Sequence, residues 1–113
     1  MSNDEVTQQH GENKMTKKFK EKFGYLDLSG SELDKDELII EMLFVEPSMR
    51  RLGNGKILLN KAIDYARKKG YKKIGLYANS DGGMSTDRLV QWYREAGFDS
   101  DGDCNELMSM RIY

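Results

Sequence analysis

Three places in the chain combine residue types that could do chemistry. The first is Arg50-Arg51-Leu52-Gly53-Asn54-Gly55, followed by Lys56, where two glycines and three cations fall between an apolar run and an amphipathic one. If a strand hands over to a helix here, the first N–H groups of the helix are unpaired and sit at the positive end of its dipole. Glycines at 53 and 55 would let a phosphate approach those amides closely, and the cations would meet its oxygens. The second is Glu41, the one charge inside the apolar segment 38–45. A carboxylate buried there would need a partner, and burial would move it toward the range of a general base. A carboxylate paired with a lysine or arginine of a neighbouring strand is the plainer reading. The third is Cys104, the only cysteine. It excludes an intrachain disulfide and sets a cytosolic default. As a nucleophile it lacks a basic neighbour, because His10 lies in a polar tail.

The elements that must position these residues follow from composition and periodicity. The 113 residues allow one domain with one core. A net charge of −1 with 33% charged residues suits a water-exposed globular surface and argues against a nucleic-acid footprint. No apolar run reaches the roughly 18 residues a membrane span needs, and no signal-peptide core opens the chain. Residues 1–18 are polar and are expected to remain a disordered tail, leaving 19–113 as the domain.

Residues 19–28 alternate as a strand, and the polar cluster 29–36 turns the chain into an antiparallel partner at 38–45. That second strand is apolar apart from Glu41, the pattern of a central strand covered on both faces. Pro47 stops it. A helix over 53–69 follows, with Leu58, Ala62 and Ala66 in one row, Arg67, Lys68 and Lys69 in the last turn, and Gly70 as cap. The strand 71–79 then implies a crossover and parallel pairing. Ser85 or Thr86 caps a helix over 87–96, closed by Gly97, and residues 106–113 alternate as the last strand.

The turn is neither a Walker loop nor a dinucleotide fingerprint, since its glycine spacing fits neither. It resembles the acyl-coenzyme A site of the GCN5-related N-acetyltransferases (GNAT superfamily). Val45-Glu46-Pro47 matches the V-x-P that ends that family's central strand, and the residues 50–55 match its Q/R-x-x-G-x-G/A. Trp92-Tyr93-Arg94-Glu95-Ala96-Gly97-Phe98 is similar to the family's Y-x-x-x-G-F block, so the resemblance covers residues 38–98. It implies an α/β fold: a mixed sheet with a central β-α-β unit and flanking helices. The two helices that usually precede it are missing or vestigial, because only about 36 residues lie before the central strand.

The resemblance also implies a site. The N–H groups from Arg51 through Leu52, Gly53, Asn54 and Gly55 to Lys56 would bind a pyrophosphate, with Arg50 beside them. The main chain of Leu43, Phe44 and Val45 would pair with the pantetheine arm where strands 38–45 and 74–79 splay apart. Tyr93 would protonate the departing thiolate, for which a phenol has a suitable pKa; its plain reading is a core aromatic. Glu41 or a water would be the base, and Tyr77 and Asn79 would line the site at the end of their strand. The implied reaction is N-acetyl transfer from acetyl-CoA to a small-molecule or protein amine. Two alternatives remain: a shortened, non-catalytic domain that binds CoA or a protein partner, and a phosphate- or nucleotide-binding regulator. The edge left open by the short front end invites a second subunit, hence a homodimer.

Overall fold

A computed structural model describes residues 14–50, 52–79, 84–102 and 104–112. Three strands come first: β1 (Lys14–Glu21), β2 (Gly24–Ser31) and β3 (Glu37–Val45). They are followed by α1 (Asn54–Lys69), β4 (Lys73–Tyr77), α2 (Thr86–Glu95), β5 (Asp99–Asp101) and β6 (Cys104–Arg111). The six strands form one mixed sheet in the order β1-β2-β3-β4-β6-β5. Only β3 and β4 pair in parallel, joined by the α1 crossover that their order requires. Between β1 and β3 the described chain contains no helix, so the front of the domain is a three-stranded meander.

This corrects the reading of the first 30 residues. The strand expected over 19–28 is a hairpin: β1 pairs with β2 in register from Lys14↔Ser31 to Glu21↔Gly24, turning on Lys22 and Phe23. Residues 14–18, expected in the tail, are the first half of β1, while 1–13 lie outside the described residues. Polar β1 is held because Met15 and Phe19 pack against the core, Phe19 meets Tyr65 of α1 edge-on, and Glu21 pairs with Lys61 of α1. The lysines on β1 suit an edge strand, where charge discourages further pairing.

The core lies between one face of the sheet and the helices. From α1, Leu58, Leu59, Ala62, Ile63 and Ala66 are buried against Leu26, Leu28, Leu38, Ile40, Ile74 and Leu76. Each fully buried leucine contributes about 1.5–3 kcal/mol. Gly70 ends α1 in the left-handed region (φ 86°) and passes its N–H to the last carbonyls. Tyr71 follows, buried, its hydroxyl donating to the Ser31 carbonyl at 2.8 Å. Burial first, then the nearby Tyr65 and Glu32, raises this phenol above its ordinary pKa, so it stays a neutral donor. α2 begins at Ser85, whose side chain accepts from the Arg88 N–H, and buries Val90 and Tyr93 in the same cluster as α1.

Both helices therefore cover one face, and the expectation that β3 is covered on both is not met. On the other face Met42, Tyr77 and Leu107 are 45%, 60% and 45% exposed, and Tyr25 meets Phe44 with ring centres 5.6 Å apart. The apolar run of β3 arises differently. Leu28 pairs with Ile40 and Asp27 with Met42, so Glu41 is an extra residue in a β-bulge. Inward positions are 38 and 40 before the bulge and 43 and 45 after it, and this change of phase reads as a continuous hydrophobic segment.

Opposite the end of β3, Gly24 leaves no room for a side chain. A Cβ there would lie 2.0 Å from the Phe44 carbonyl oxygen, and backbone cannot move aside cheaply. Gly24→Ala is expected to cost about 1–3 kcal/mol in chemical denaturation, the range for overpacking. An unchanged denaturation midpoint would contradict this packing.

Candidate active site

The turn after β3 is tied back on itself. The Glu46 N–H makes the last bond to β2, donating to the Phe23 carbonyl at 2.7 Å, and a 3-10 turn over Pro47–Met49 follows. Arg50 Nε donates to the Val45 carbonyl at 2.8 Å and its guanidinium lies over the Phe44 ring. Asn54 Nδ2 donates to the Met49 carbonyl at 2.9 Å. Arg50, expected to meet phosphate, thus braces the turn against the strand it leaves. Leu52 is exposed, Lys56 projects from the first turn of α1, and Arg51 lies outside the described residues.

Gly53 carries the chain into α1 at φ 83°, ψ 4°, and its carbonyl accepts the first helical bond from Ile57. Among the described residues no side chain caps this N-terminus, and no acidic residue occupies its first turn. The N–H groups of Asn54, Gly55 and Lys56 are therefore presented at the positive end of a 16-residue helix. The two glycines differ in purpose. A Cβ on Gly53 would meet nothing within 4 Å, so that residue is required by its backbone angle. A Cβ on Gly55 would lie 3.4 Å from Trp92 Cζ2 and 3.8 Å from Val45 Cγ2. Gly55 thus lets the indole of α2 close over the turn, a contact that the spacing of the glycines alone does not reveal.

Beside the turn the sheet divides. β3 and β4 pair from Glu37↔Lys73 to Ile40↔Leu76, and the pairing goes no further. Tyr77 pairs instead with Leu107, and the Ala78 N–H donates to the Glu106 carbonyl at 2.7 Å. The end of β3 stays with β2. Because the Glu46 N–H points to β2, the alternation of the strand turns the main-chain groups of Leu43 and Val45 toward the gap. Phe44, expected to join them, presents its peptide groups to Tyr25 on β2 and its ring to the outer face.

Glu41 stands at the head of this gap. It is exposed, so the burial expected to tune it as a base is absent. Its partner is also not the cation of the plainer reading: Ser29 Oγ donates to Glu41 Oε2 at 2.5 Å. The bulge lifts Glu41 out of the ladder where the two strands part. Tyr93 is buried on the inner side of α2. Its ring lies edge-on to Trp92 and Phe98, at 5.0 and 5.6 Å between centres. Trp92, through Gly55 and Val45, joins Tyr93 to the turn. Tyr77 and Asn79 are exposed beyond the end of the β3–β4 pairing. Cys104 is half-buried and faces the Glu106 carboxylate at 3.5 Å, the opposite of the cationic neighbour a reactive thiolate needs.

A strand that leaves its parallel neighbour beside a glycine-entered helix N-terminus is the candidate site of this mixed α/β sheet. The chain belongs to the acetyltransferase (GNAT) family, whose model matches residues 13–98. An uncharacterized N-acetyltransferase of Methanocaldococcus jannaschii is 34% identical over 70 residues, which is 61% of this chain and 29% of that one. Among solved structures, the anti-CRISPR protein AcrVA5 superposes with a TM-score of 0.72 at 32% identity, over 83% of this chain and 96% of that one. Two further neighbours share the fold at lower identity. The PaiA N-acetyltransferase of Thermoplasma acidophilum, solved with coenzyme A, has a TM-score of 0.63 at 20% identity, over 79% of this chain and 53% of that one. A GNAT family acetyltransferase of Elizabethkingia anophelis, solved with acetyl-CoA, has a TM-score of 0.64 at 19% identity, over 79% and 68%.

Proposed function

We propose that the protein transfers the acetyl group of acetyl-CoA to a primary amine by direct attack. The observation that carries this reading is the uncapped N-terminus of α1 set against the unpaired end of β3. The first offers N–H groups to a pyrophosphate, and the second offers the main chain of Leu43 and the N–H of Val45 to the pantetheine amides, the Val45 carbonyl being held by Arg50. Complexes of fold neighbours with coenzyme A and acetyl-CoA support the same ligand.

In the proposed mechanism the carboxylate of Glu41 takes a proton from the acceptor ammonium. The neutral amine attacks the thioester carbonyl, forming the N–C bond, while a main-chain N–H at the gap steadies the developing oxyanion. Collapse breaks the C–S bond, the thiolate takes the phenolic proton of Tyr93, and the amide nitrogen loses its second proton to solvent. Products are the acetamide and free coenzyme A.

The bare outer face favours an amine borne by a protein over a small molecule. Tyr77, Leu107 and Met42 lie open around the gap, and no described element walls them into a pocket. The similarity to an anti-CRISPR protein over nearly its whole length supports a role against a CRISPR system. Thiol release from acetyl-CoA, measured across protein, peptide, polyamine and small amine acceptors, tests the activity. We expect turnover with protein or peptide lysines; no release above spontaneous hydrolysis with every acceptor would overturn it. Loss of CRISPR interference in cells expressing the chain tests the role.

A further inference from the structure

α2 has a slender hold on the rest of the molecule: it buries Val90 and Tyr93, where α1 buries Leu58, Leu59, Ala62, Ile63 and Ala66. Consecutive residues of a helix point about 100° apart, so Tyr93 can face the core while Trp92 faces the start of α1. Trp92, the only tryptophan in the chain, is half-buried there. Its Cζ2 and Cη2 atoms lie 3.4 and 3.5 Å from where a Cβ of Gly55 would stand. Its ring meets Tyr93 edge-on, with centres 5.0 Å apart. Gly55 supplies one of the N–H groups at the start of α1, and it has no side chain that could yield to the ring. The indole therefore spans the space between Tyr93 and the proposed pyrophosphate cradle. Its reach depends on the second ring, because Cζ2 and Cη2 belong to the six-membered ring that lies furthest from the α2 backbone.

We propose that Trp92 is a positioning residue for acetyl transfer: closed over Gly55, it fixes how far α2, and with it Tyr93, stands from the coenzyme cradle. This inference rests on the assignment of Tyr93 as the acid. Trp92 gives and takes no proton; it acts through the neighbouring ring. A proton donor must stand within hydrogen-bond reach of the departing sulfur, and a displacement of about 1 Å can cost up to about 100-fold. With so little of α2 buried, the contact across to α1 is what sets that reach.

The test uses the full chain, acetyl-CoA and an N-terminally blocked lysine peptide, with thiol release for kcat and calorimetry for coenzyme binding. Trp92→Phe keeps an aromatic ring beside Tyr93 and removes the second ring that reaches Gly55. It is expected to lower kcat about fivefold, and Trp92→Leu about tenfold, with the dissociation constant for acetyl-CoA within about twofold in both. Trp92→Phe carries the test even where Trp92→Leu unfolds. Adding Trp92→Phe to Tyr93→Phe should cost nothing more, because the phenol that Trp92 places is gone. Tyr93→Phe at wild-type kcat, or no turnover by the wild-type chain, would overturn the acid assignment and the proposal together. Loss in Tyr93→Phe with an unaffected Trp92→Phe, or a fivefold loss that persists in the double variant, would overturn the positioning role alone. So would weaker acetyl-CoA binding at unchanged kcat, which would make Trp92 a coenzyme contact instead.

Discussion

Tyr93→Phe is expected to lower kcat about 100-fold while leaving the dissociation constant for acetyl-CoA within about twofold. The argument is geometric. The ring of Tyr93 is 5% exposed and held edge-on by Trp92 and Phe98, so phenylalanine keeps the packing and removes only the oxygen. The same α2 turn sets Trp92 over Gly55 and Val45, so the lost proton donor belongs to the wall of the proposed cradle. A departing thiolate is then left without its acid, and the loss falls on kcat rather than on binding. Thiol-release kinetics beside a calorimetric titration of the same variant separate the two quantities. A coenzyme-binding module without catalysis would lose nothing, so the same variant decides between the enzyme and that alternative.

Gly53→Val is expected to weaken acetyl-CoA binding at least tenfold, and Gly70→Val to leave it unchanged. The two glycines form a matched pair. Both hold left-handed angles, φ 83° and φ 86°, at opposite ends of α1, and a Cβ on either would meet nothing within 4 Å. Each substitution therefore carries the same conformational cost, about 1–2 kcal/mol and somewhat more for a β-branched residue. Both should lower the melting temperature by several degrees. Only at Gly53 does relief of that strain rotate the N–H groups of Asn54, Gly55 and Lys56 away from a common anion. Equal loss of binding in the two variants would mean that helix stability, not the cradle, governs affinity.

The parts of this architecture that were legible in the sequence are those where local rules and tertiary packing agree. Pro47 ends β3, Gly70 ends α1, and the row through Leu58, Ala62 and Ala66 is the buried face, because one residue type serves each need. The family blocks around Val45–Pro47 and Tyr93–Phe98 lie within the residues that the family model matches. The hairpin of β1 and β2 was hidden because its two-residue turn, Lys22-Phe23, lacks the glycine or asparagine that usually marks one. β1 is polar enough to read as tail, and its hold on the core comes from Met15, Phe19 and Glu21 meeting residues far along the chain.

At the site itself, side-chain partners were the unreadable part. Arg50 spends its Nε on the Val45 carbonyl, a bond fixed by the fold of the turn rather than by charge. Glu41 reads as a buried charge in an apolar strand, but the bulge changes the phase of β3 and leaves it exposed. Its partner Ser29 lies 12 residues away in what reads as a turn, and only the register of β2 against β3 brings the two together. Trp92 is placed over Gly55 by packing between helices that no local pattern encodes.

Titration of acetyl-CoA into the full chain by calorimetry tests the central claim most directly. The uncapped helix and the unpaired strand predict one saturable site, with a dissociation constant between about 1 μM and 1 mM, the range of enzyme–substrate pairs. Binding should weaken in Gly53→Val and persist in Gly70→Val. Absence of any heat of binding at millimolar acetyl-CoA would contradict the account.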